Sequence, residues 1–316
     1  MAAFQELLRA RSGRQVWRFT PAVRRDLRNG LLFVSPWLIG LLVFTVYPIV
    51  SSFYYSFTVY DIVSPAQFVG LTNYRDLLTH DPLFWITVRN TLFLVCVFIP
   101  ASLLLALSLA LLLNAKISGM AFYRTVFFLP SIVPDVVVAV LWAWMLNTQF
   151  GLANASLRRF GLPTIGWMTD PMWTKPSLIL IALWTVGGAM VIFLAAVQDI
   201  PEHLYEAADL DGASTWRKLW HVTLPMLTPT IFFNLVLGII GTFQAFTLSF
   251  VLTGGSGGPL SSALFYAMLL YRNAFSYFKM GYASAMAWLL FAVIFAITFL
   301  VFRTAQYWVY YEGESG

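Results

Sequence analysis

The sequence predicts an all-α polytopic membrane protein with six membrane-spanning segments. Of its 316 residues, 59% are hydrophobic and 10% are charged, whereas about a quarter of the residues in a soluble domain are charged. Uncharged stretches long enough to cross a bilayer as a helix, which takes about 20 residues, recur along the chain. The single cysteine, Cys96, lies inside one of them, so the sequence has no disulfide framework.

The basic residues are gathered near the N-terminus. Seven of the 19 Lys and Arg residues precede Gly30, and no basic face interleaved with aromatic residues follows, which argues against nucleic-acid binding. Arginines ahead of a first span favour a cytoplasmic N-terminus. The sequence therefore predicts a basic cytoplasmic tail over residues 1–29, a transmembrane domain over 30–302 and a short cytoplasmic C-terminal tail over 303–316.

Six apolar stretches are predicted to span the membrane, with polar connectors over 61–89 and 147–176 on the outside. Kinks are expected at prolines inside the spans, such as Pro36 and Pro48. The spans run over residues 29–60, 90–115, 125–146 and 176–198, then from a polar hairpin to about 252, and over 279–303.

Asp135 is the one carboxylate well inside a predicted span. A charge at mid-membrane costs about 3 kcal/mol, so this side chain should face protein, water or the interface. It either faces the inside of the bundle or lies near the inner membrane edge, and the sequence leaves both open. The fourth span carries Gly187 and Gly188, which permit close helix packing, the favoured interpretation, or a local break where a ligand passes.

A glycine-rich run at 254–259 interrupts a long uncharged stretch. The apolar piece between this run and Arg272 is too short to cross a membrane, so it should lie at the outer surface or re-enter partway. The sixth span follows, and four aromatic residues behind it are predicted to form an interfacial anchor. They are Tyr307, Trp308, Tyr310 and Tyr311.

A polar hairpin over residues 199–224 separates the fourth and fifth spans. Five of the chain's 14 acidic residues lie between Asp199 and Asp211. Pro201 suits a first helical turn, Gly212 is free to take a positive φ at the end of that helix, and Ser214 can cap a second helix. The prolines that follow, Pro225 and Pro229, are expected to interrupt the helix and set the angle of the hairpin.

The hairpin sequence is similar to the EAA motif of permease subunits in binding-protein-dependent ABC importers, with valine at 222 in place of the usual isoleucine. In that family the loop is a cytoplasmic coupling helix that docks in a groove of a separate ATPase. The resemblance assigns this role to Glu206, Ala207, Ala208, Asp211, Gly212, Leu224 and Pro225. The alternative is an amphipathic hairpin lying on lipid, where its acidic residues would be repelled by an anionic leaflet.

Further segments resemble the sugar-type permeases of the maltose and glycerol-3-phosphate family, and in particular the first of their two permease subunits. They are residues 68–78, 125–146 and 251–259. The resemblance implies a six-helix type I permease core in which the fourth and fifth spans line the substrate path. The residues implied are Trp184, Gly188, Thr242, Gln244 and Thr247. Hydrogen bonding between helices at a dimer interface is the alternative role for each of them.

The resemblance also implies the partners: a second and different permease, two ATPase subunits, an extracytoplasmic solute-binding protein and a sugar or polyol substrate, in a bacterial or archaeal cytoplasmic membrane. The chain has no GxxxxGK[ST] loop, so ATP and Mg²⁺ are expected on the ATPase. No catalytic or metal-binding motif is present, and the chain is not expected to be an enzyme. A secondary, ion-coupled transporter is the alternative function.

Overall fold

The computed structural model describes residues 21–310, without the side chains of Ala22 and Val23. The chain forms two compact units that divide between Tyr54 and Tyr55. The predictions for residues 1–20 and 311–316, including the aromatic anchor residue Tyr311, lie outside the described residues.

The first unit is helical from its first described residue. Helix α1 (Pro21–Leu41) is followed by a π-helical turn (Leu42–Val46) and by α2 (Tyr47–Ser56). The helix thus begins within the predicted basic tail, where Pro21 is suited to a first helical turn, and it continues through Pro36. Pro48 does not end the helix either: the π turn before it lets the Tyr47 amide donate to the Leu42 carbonyl.

The second unit opens with a two-stranded antiparallel ladder, β1 (Thr58–Val59) with β2 (Gln67–Phe68), and a short helix, α3 (Thr72–Thr79). Helix α4 (Pro82–Leu113) follows and starts eight residues before the predicted span, inside the predicted connector. The Asp81 carboxylate accepts from the Leu83 amide at 2.9 Å, and Pro82 fills the first helical turn. This N-cap, and not the end of the charged residues, sets the start of the helix.

The third predicted span is two helices rather than one. Helix α5 (Met120–Phe128) and a 3₁₀ turn (Leu129–Ile132) are bent by 100° from α6 (Asp135–Met145). Val133, which precedes Pro134, is extended, with φ −76° and ψ 129°, since the helical region is disfavoured for a residue before proline.

The fourth span is also divided. After the short helix α7 (Leu152–Arg159), α8 (Pro171–Trp184) and α9 (Gly187–Gln198) meet at a 48° bend. Asp170 caps α8, with its carboxylate accepting from the Met172 amide at 2.9 Å, so α8 starts before the predicted 176. Gly187 lies against the α5 backbone, which confirms the close-packing interpretation for this residue. Gly187 also follows the break, and passage of a ligand there stays a prediction.

The polar hairpin contains α10 (Glu202–Leu210) and α11 (Thr215–Lys218). A π turn (Leu219–Thr223) then leads directly into α12 (Leu224–Phe243), and α13 (Thr247–Leu252) completes the fifth span. The expectation that prolines interrupt the helix here is wrong. Pro225 lies at the start of α12 and Pro229 within it, while the interruption falls at residues 244–246.

The apolar piece after the glycine-rich run is buried in the bundle. It forms a 3₁₀ turn (Pro259–Ser261), α14 (Tyr266–Tyr271) and a π turn (Arg272–Ser276), ahead of α15 (Met280–Ala305). The Asn90 side chain donates to the carbonyls of Ser261 and Leu264, at 2.8 and 3.0 Å. Which of the two expected locations in the membrane it occupies stays a prediction.

Helix α4 is the centre of the second unit. Its small residues Ala106 and Ala110 are fully buried against Met190 and Phe193 of α9. Ile99 of α4 packs against Ile239 and Phe243 of α12, and Leu94 packs against Leu178 of α8.

Among the described residues, four helices are long and apolar enough to span a membrane, and the two bent pairs make six. The predicted count of six is therefore reached only when α5–α6 and α8–α9 each serve as one span. The predicted sixth span agrees closely with α15.

The close approach at Gly187 yields a prediction. A Cβ at this position would meet the Phe127 carbonyl oxygen and would lie 2.9 Å from the Phe128 Cα, whereas a Cβ at Gly188 would meet nothing within 4 Å. We expect Gly187→Ala to destabilise the protein by about 1–3 kcal/mol, because backbone atoms must shift. Gly188→Ala is the matched control. The measurement is the midpoint of thermal unfolding of the purified protein, and equal midpoints for both variants would contradict the prediction.

Candidate functional site

The first helix of the polar hairpin ends in a Schellman motif. Gly212 has φ +70°, its amide donates to the Asp209 carbonyl at 3.0 Å, and the Ala213 amide donates to the Ala208 carbonyl at 2.9 Å. Positive φ is costly for residues with a Cβ, so glycine suits this position. The positive φ predicted for Gly212 is confirmed.

The starts of the two hairpin helices agree with expectation to within one residue. Ser214 caps α11 as predicted, with its Oγ accepting from the Arg217 amide at 3.4 Å. Pro201 is not in the first turn of α10 but is its N-cap residue, with ψ 129°. The difference is one residue and leaves Glu202 in the first turn, at the positive end of the helix dipole.

Two side-chain contacts hold the arms of the hairpin together. Lys218 Nζ lies 2.8 Å from Asp209 Oδ1, and the Tyr205 and Thr223 hydroxyls are 2.9 Å apart. Beneath them, Leu204 and Tyr205 pack on a buried cluster that includes Leu227 of α12. The hairpin is therefore braced against the base of the fifth span.

The outer face of the hairpin combines charge with large apolar side chains. Leu210, Trp216 and Trp220 are 91%, 71% and 62% exposed. Four of the motif residues are also exposed, while the other three are half-buried. The exposed ones are Glu206, Ala207, Asp211 and Gly212, and the half-buried ones are Ala208, Leu224 and Pro225. Exposed aromatic residues beside charges are typical of protein contact surfaces.

A cavity of about 360 Å³, called here the central cavity, lies where three helix interruptions meet. Its lining includes Asp135 after the first break, Thr185 at the second and Gln244 at the third. Its volume is within the roughly 300–1,000 Å³ of typical ligand sites. The remaining lining residues come from α4, α8, α12, α13 and the segment before α14.

The structure brings together three of the five predicted path residues: Thr242, Gln244 and Thr247 line the central cavity. Trp184 instead lines a separate apolar cavity of about 410 Å³, with its ring 5.8 Å from that of Trp142. Gly188 lines neither of these two cavities. Trp184 and Thr185 are neighbours at the end of α8, where adjacent side chains point about 100° apart, and of the two only Thr185 lines the central cavity.

The polar groups of the central cavity are largely free of protein partners. Thr185 Oγ1 donates to the Ala182 carbonyl at 2.9 Å, and the Ser249 hydroxyl donates to the Ala263 carbonyl. Within residues 21–310, by contrast, the side chains of Asp135, Gln244 and Thr247 make no hydrogen bond. They are available to a ligand or to water.

Asp135 and Ser249 are the polar cavity residues that the sequence did not assign to the path. For Asp135 a signal existed, as the one carboxylate within an apolar stretch; the structure shows it exposed at the cavity, and its depth in the membrane stays a prediction. Ser249 has no such signal, because a hydroxyl within a span is more often bonded to the backbone, as it is here to the Ala263 carbonyl. Thr185 is one of the hydrogen-bonding groups that the fourth predicted span offers for the path, and it does line the cavity.

A broken-helix bundle with a polar cavity and a braced polar hairpin defines a multi-pass membrane transport subunit. Residues 86–309 match the family of binding-protein-dependent transport system inner membrane components, and the chain belongs to this family. The predicted family is thereby confirmed, and the role of the hairpin stays a prediction.

Similar proteins match over nearly the whole chain. The chain is 40% identical to the probable ABC transporter permease protein YesP of Bacillus subtilis, over 96% of this chain and 99% of that one. It is 30% identical to the trehalose/maltose transport system permease protein MalF of Thermococcus litoralis, over 90% and 95%. A crystal structure of a bacterial alginate ABC transporter superposes with a TM-score of 0.80 at 24% identity, covering 92% and 97%, which shows a shared type I permease fold.

The braces of the hairpin yield a prediction. Tyr205→Phe removes the hydroxyl that contacts Thr223, a loss of about 0.5–1.5 kcal/mol. We expect amide hydrogen exchange in residues 202–223 to accelerate about two- to tenfold, as measured by mass spectrometry. Tyr307→Phe is the matched control, because Tyr307 is 81% exposed and its hydroxyl has no partner within residues 21–310. Unchanged exchange in Tyr205→Phe would show that the hydroxyl does not brace the hairpin.

Proposed function

We propose that this chain is a permease subunit of an ATP-driven importer for a sugar or related polyol. It forms half of the translocation path and is coupled to a separate ATPase through the polar hairpin. The observation that carries the proposal is the continuous helical run from Thr215 to Phe243, which joins the exposed hairpin to the central cavity. At about 1.5 Å per residue this run is about 40 Å long, enough to carry a displacement between the two sites.

The saccharide class is supported by the names of similar proteins. They include the lactose permease protein LacF of Rhizobium radiobacter and the arabinooligosaccharide permease protein AraP of Bacillus subtilis. The free hydroxyl and amide groups of the central cavity suit such a ligand, because they form hydrogen bonds without requiring a charge. The similar structures include a transporter of the acidic polysaccharide alginate, so the shared fold does not fix the charge of the substrate.

In the proposed assembly a second, different permease completes the path, two ATPase subunits bind ATP and Mg²⁺, and an extracytoplasmic binding protein delivers the sugar. The hairpin and both termini face the cytoplasm. Arg24, Arg25 and Arg28 at the start of the first helix support this orientation. The exposed residues Leu210, Trp216 and Trp220 supply an apolar contact for the ATPase groove.

Transport then follows from alternating access. ATP draws the two ATPase subunits together, the hairpins move with them, and the helices α11 and α12 turn as one rigid body. The cavity opens outward, accepts sugar from the binding protein, and opens inward after hydrolysis. The coupling energy is the difference in affinity of each ligand between the two states.

The ion-coupled alternative rests on Asp135, because ion-coupling sites commonly contain a carboxylate in a cavity within the membrane. That alternative leaves the braced hairpin without a role. The two are separated by purifying the chain from its native membrane in mild detergent, identifying its partners and measuring ATPase activity with candidate sugars. Recovery of an ATPase whose rate responds to a sugar supports the importer. Recovery of the chain alone, with ion-driven uptake in vesicles, contradicts it.

Charge reversal on the exposed face of the hairpin yields a prediction. Glu206→Lys should abolish sugar-stimulated ATP hydrolysis and uptake while the protein remains inserted, because the reversed charge opposes docking. Gly212→Pro should do the same, since a φ near −65° cannot replace the observed +70°. Asp26→Lys is the control, as it reverses an exposed acid outside the hairpin. Normal uptake by both hairpin variants would remove the docking role.

A further inference from the structure

The central cavity has a lining of 16 residues, and Asp135 is the single charged one among them. The other polar groups are threonine and serine hydroxyls and the Gln244 amide. No lysine or arginine of the described residues lines it. The chain's contribution to the electrostatic field in this cavity is therefore dominated by one negative charge.

The position of Asp135 in its helix makes that charge tolerable. It is the first residue of α6, where the helix dipole favours an anion. The side chain is solvent-exposed and has no hydrogen-bond or ion-pair partner within residues 21–310. An intramembrane carboxylate without a protein partner must face water or a ligand. The cavity has space for either.

We propose that Asp135 determines the charge selectivity of the central cavity, which accepts neutral or amine-bearing saccharides and rejects saccharides that carry a carboxylate or sulfate. This inference rests on the proposed function and extends it to the class of sugar. A sugar hydroxyl that donates to Asp135 forms a charge-assisted hydrogen bond. An acidic sugar brings a second negative charge into a site of reduced dielectric constant, where like charges repel more strongly than in water.

The charge of the cavity can be measured without knowing the substrate. Thr247→Cys is made in a Cys96→Ser background, in the complete complex in lipid nanodiscs. The introduced cysteine is then reacted with a cationic trimethylammonium methanethiosulfonate and, separately, with an anionic sulfonate methanethiosulfonate. Each rate is divided by the rate of the same reagent with a free thiol in solution. We then expect the cationic reagent to react about tenfold faster than the anionic one. Adding Asp135→Asn, which keeps the side-chain shape, should reduce this ratio by about tenfold.

Two further cysteine variants make this experiment decisive. Ser156→Cys, on the exposed face of α7, should show a rate ratio that Asp135→Asn leaves unchanged. Gln244→Cys places a cysteine at a second position in the cavity, for use if the cysteine at 247 reacts slowly with the reagents. A ratio near one, a ratio insensitive to Asp135→Asn, or no reaction of either cavity cysteine with neutral methyl methanethiosulfonate would each overturn the proposal.

Saccharide protection then tests the class of sugar in the same sample. Galactobiose and digalacturonate are matched probes that differ in charge. With Asp135 present, galactobiose should slow labelling of Thr247→Cys at a concentration about tenfold below that needed for digalacturonate, and Asp135→Asn should remove the difference. Equal protection with Asp135 present overturns the proposal. If neither disaccharide protects while the reagent ratio depends on Asp135, charge selectivity stands and the saccharide function is the part that fails.

Discussion

Every backbone amide and carbonyl removed from water needs a partner, and this constraint explains why the interruptions of the helices lie together. Residues 133–134, 185–186 and 244–246 each break a helix within an otherwise apolar span. Facing lipid, such breaks would leave polar groups unpaired at a cost of several kcal/mol each. All three instead border the central cavity or lie next to a residue that lines it. Amides at each break donate to carbonyls three residues earlier, such as Thr185 to Ala182 and Gln244 to Gly241, and the breaks bring the Thr185 and Gln244 side chains to the cavity.

The bundle around the cavity depends on helix α4. Its buried alanines, Ala106 and Ala110, allow α9 to approach closely, as small residues do between membrane helices. Its other end is fixed by polar contacts, because Asn90 donates to two carbonyls and the Tyr266 amide donates to Thr91 Oγ1 at 3.0 Å. Hydrogen bonds of this kind hold a non-helical segment inside the bundle. Helix α4 is therefore held by apolar packing at one end and by hydrogen bonds at the other, which makes it the rigid element of the bundle.

Local signals could be read from the sequence, and signals that depend on packing could not. Gly212 and Ser214 were assigned correctly because a helix end is encoded by the residues at that end. The Asp-Pro pairs at 81–82 and 170–171 carry the same kind of information and mark the true helix starts. Proline was ambiguous: Pro134 breaks a helix, whereas π turns accommodate Pro48 and Pro225. The break at Gln244 has neither proline nor glycine, so only tertiary packing explains it.

The π turn before Pro225 also bears on how the hairpin can move the fifth span. In an α-helix Pro225 would clash with the carbonyl of His221, but the wider turn lets the Leu224 amide donate to the Leu219 carbonyl. The helix therefore passes through its proline without a break. The contact between Thr223, at the end of this turn, and Tyr205 of α10 ties the turn to the hairpin. In the proposed transport cycle a flexible joint would absorb a displacement of the hairpin, whereas this braced joint would pass it to α12, whose far end lies at Thr242 and Gln244 in the cavity.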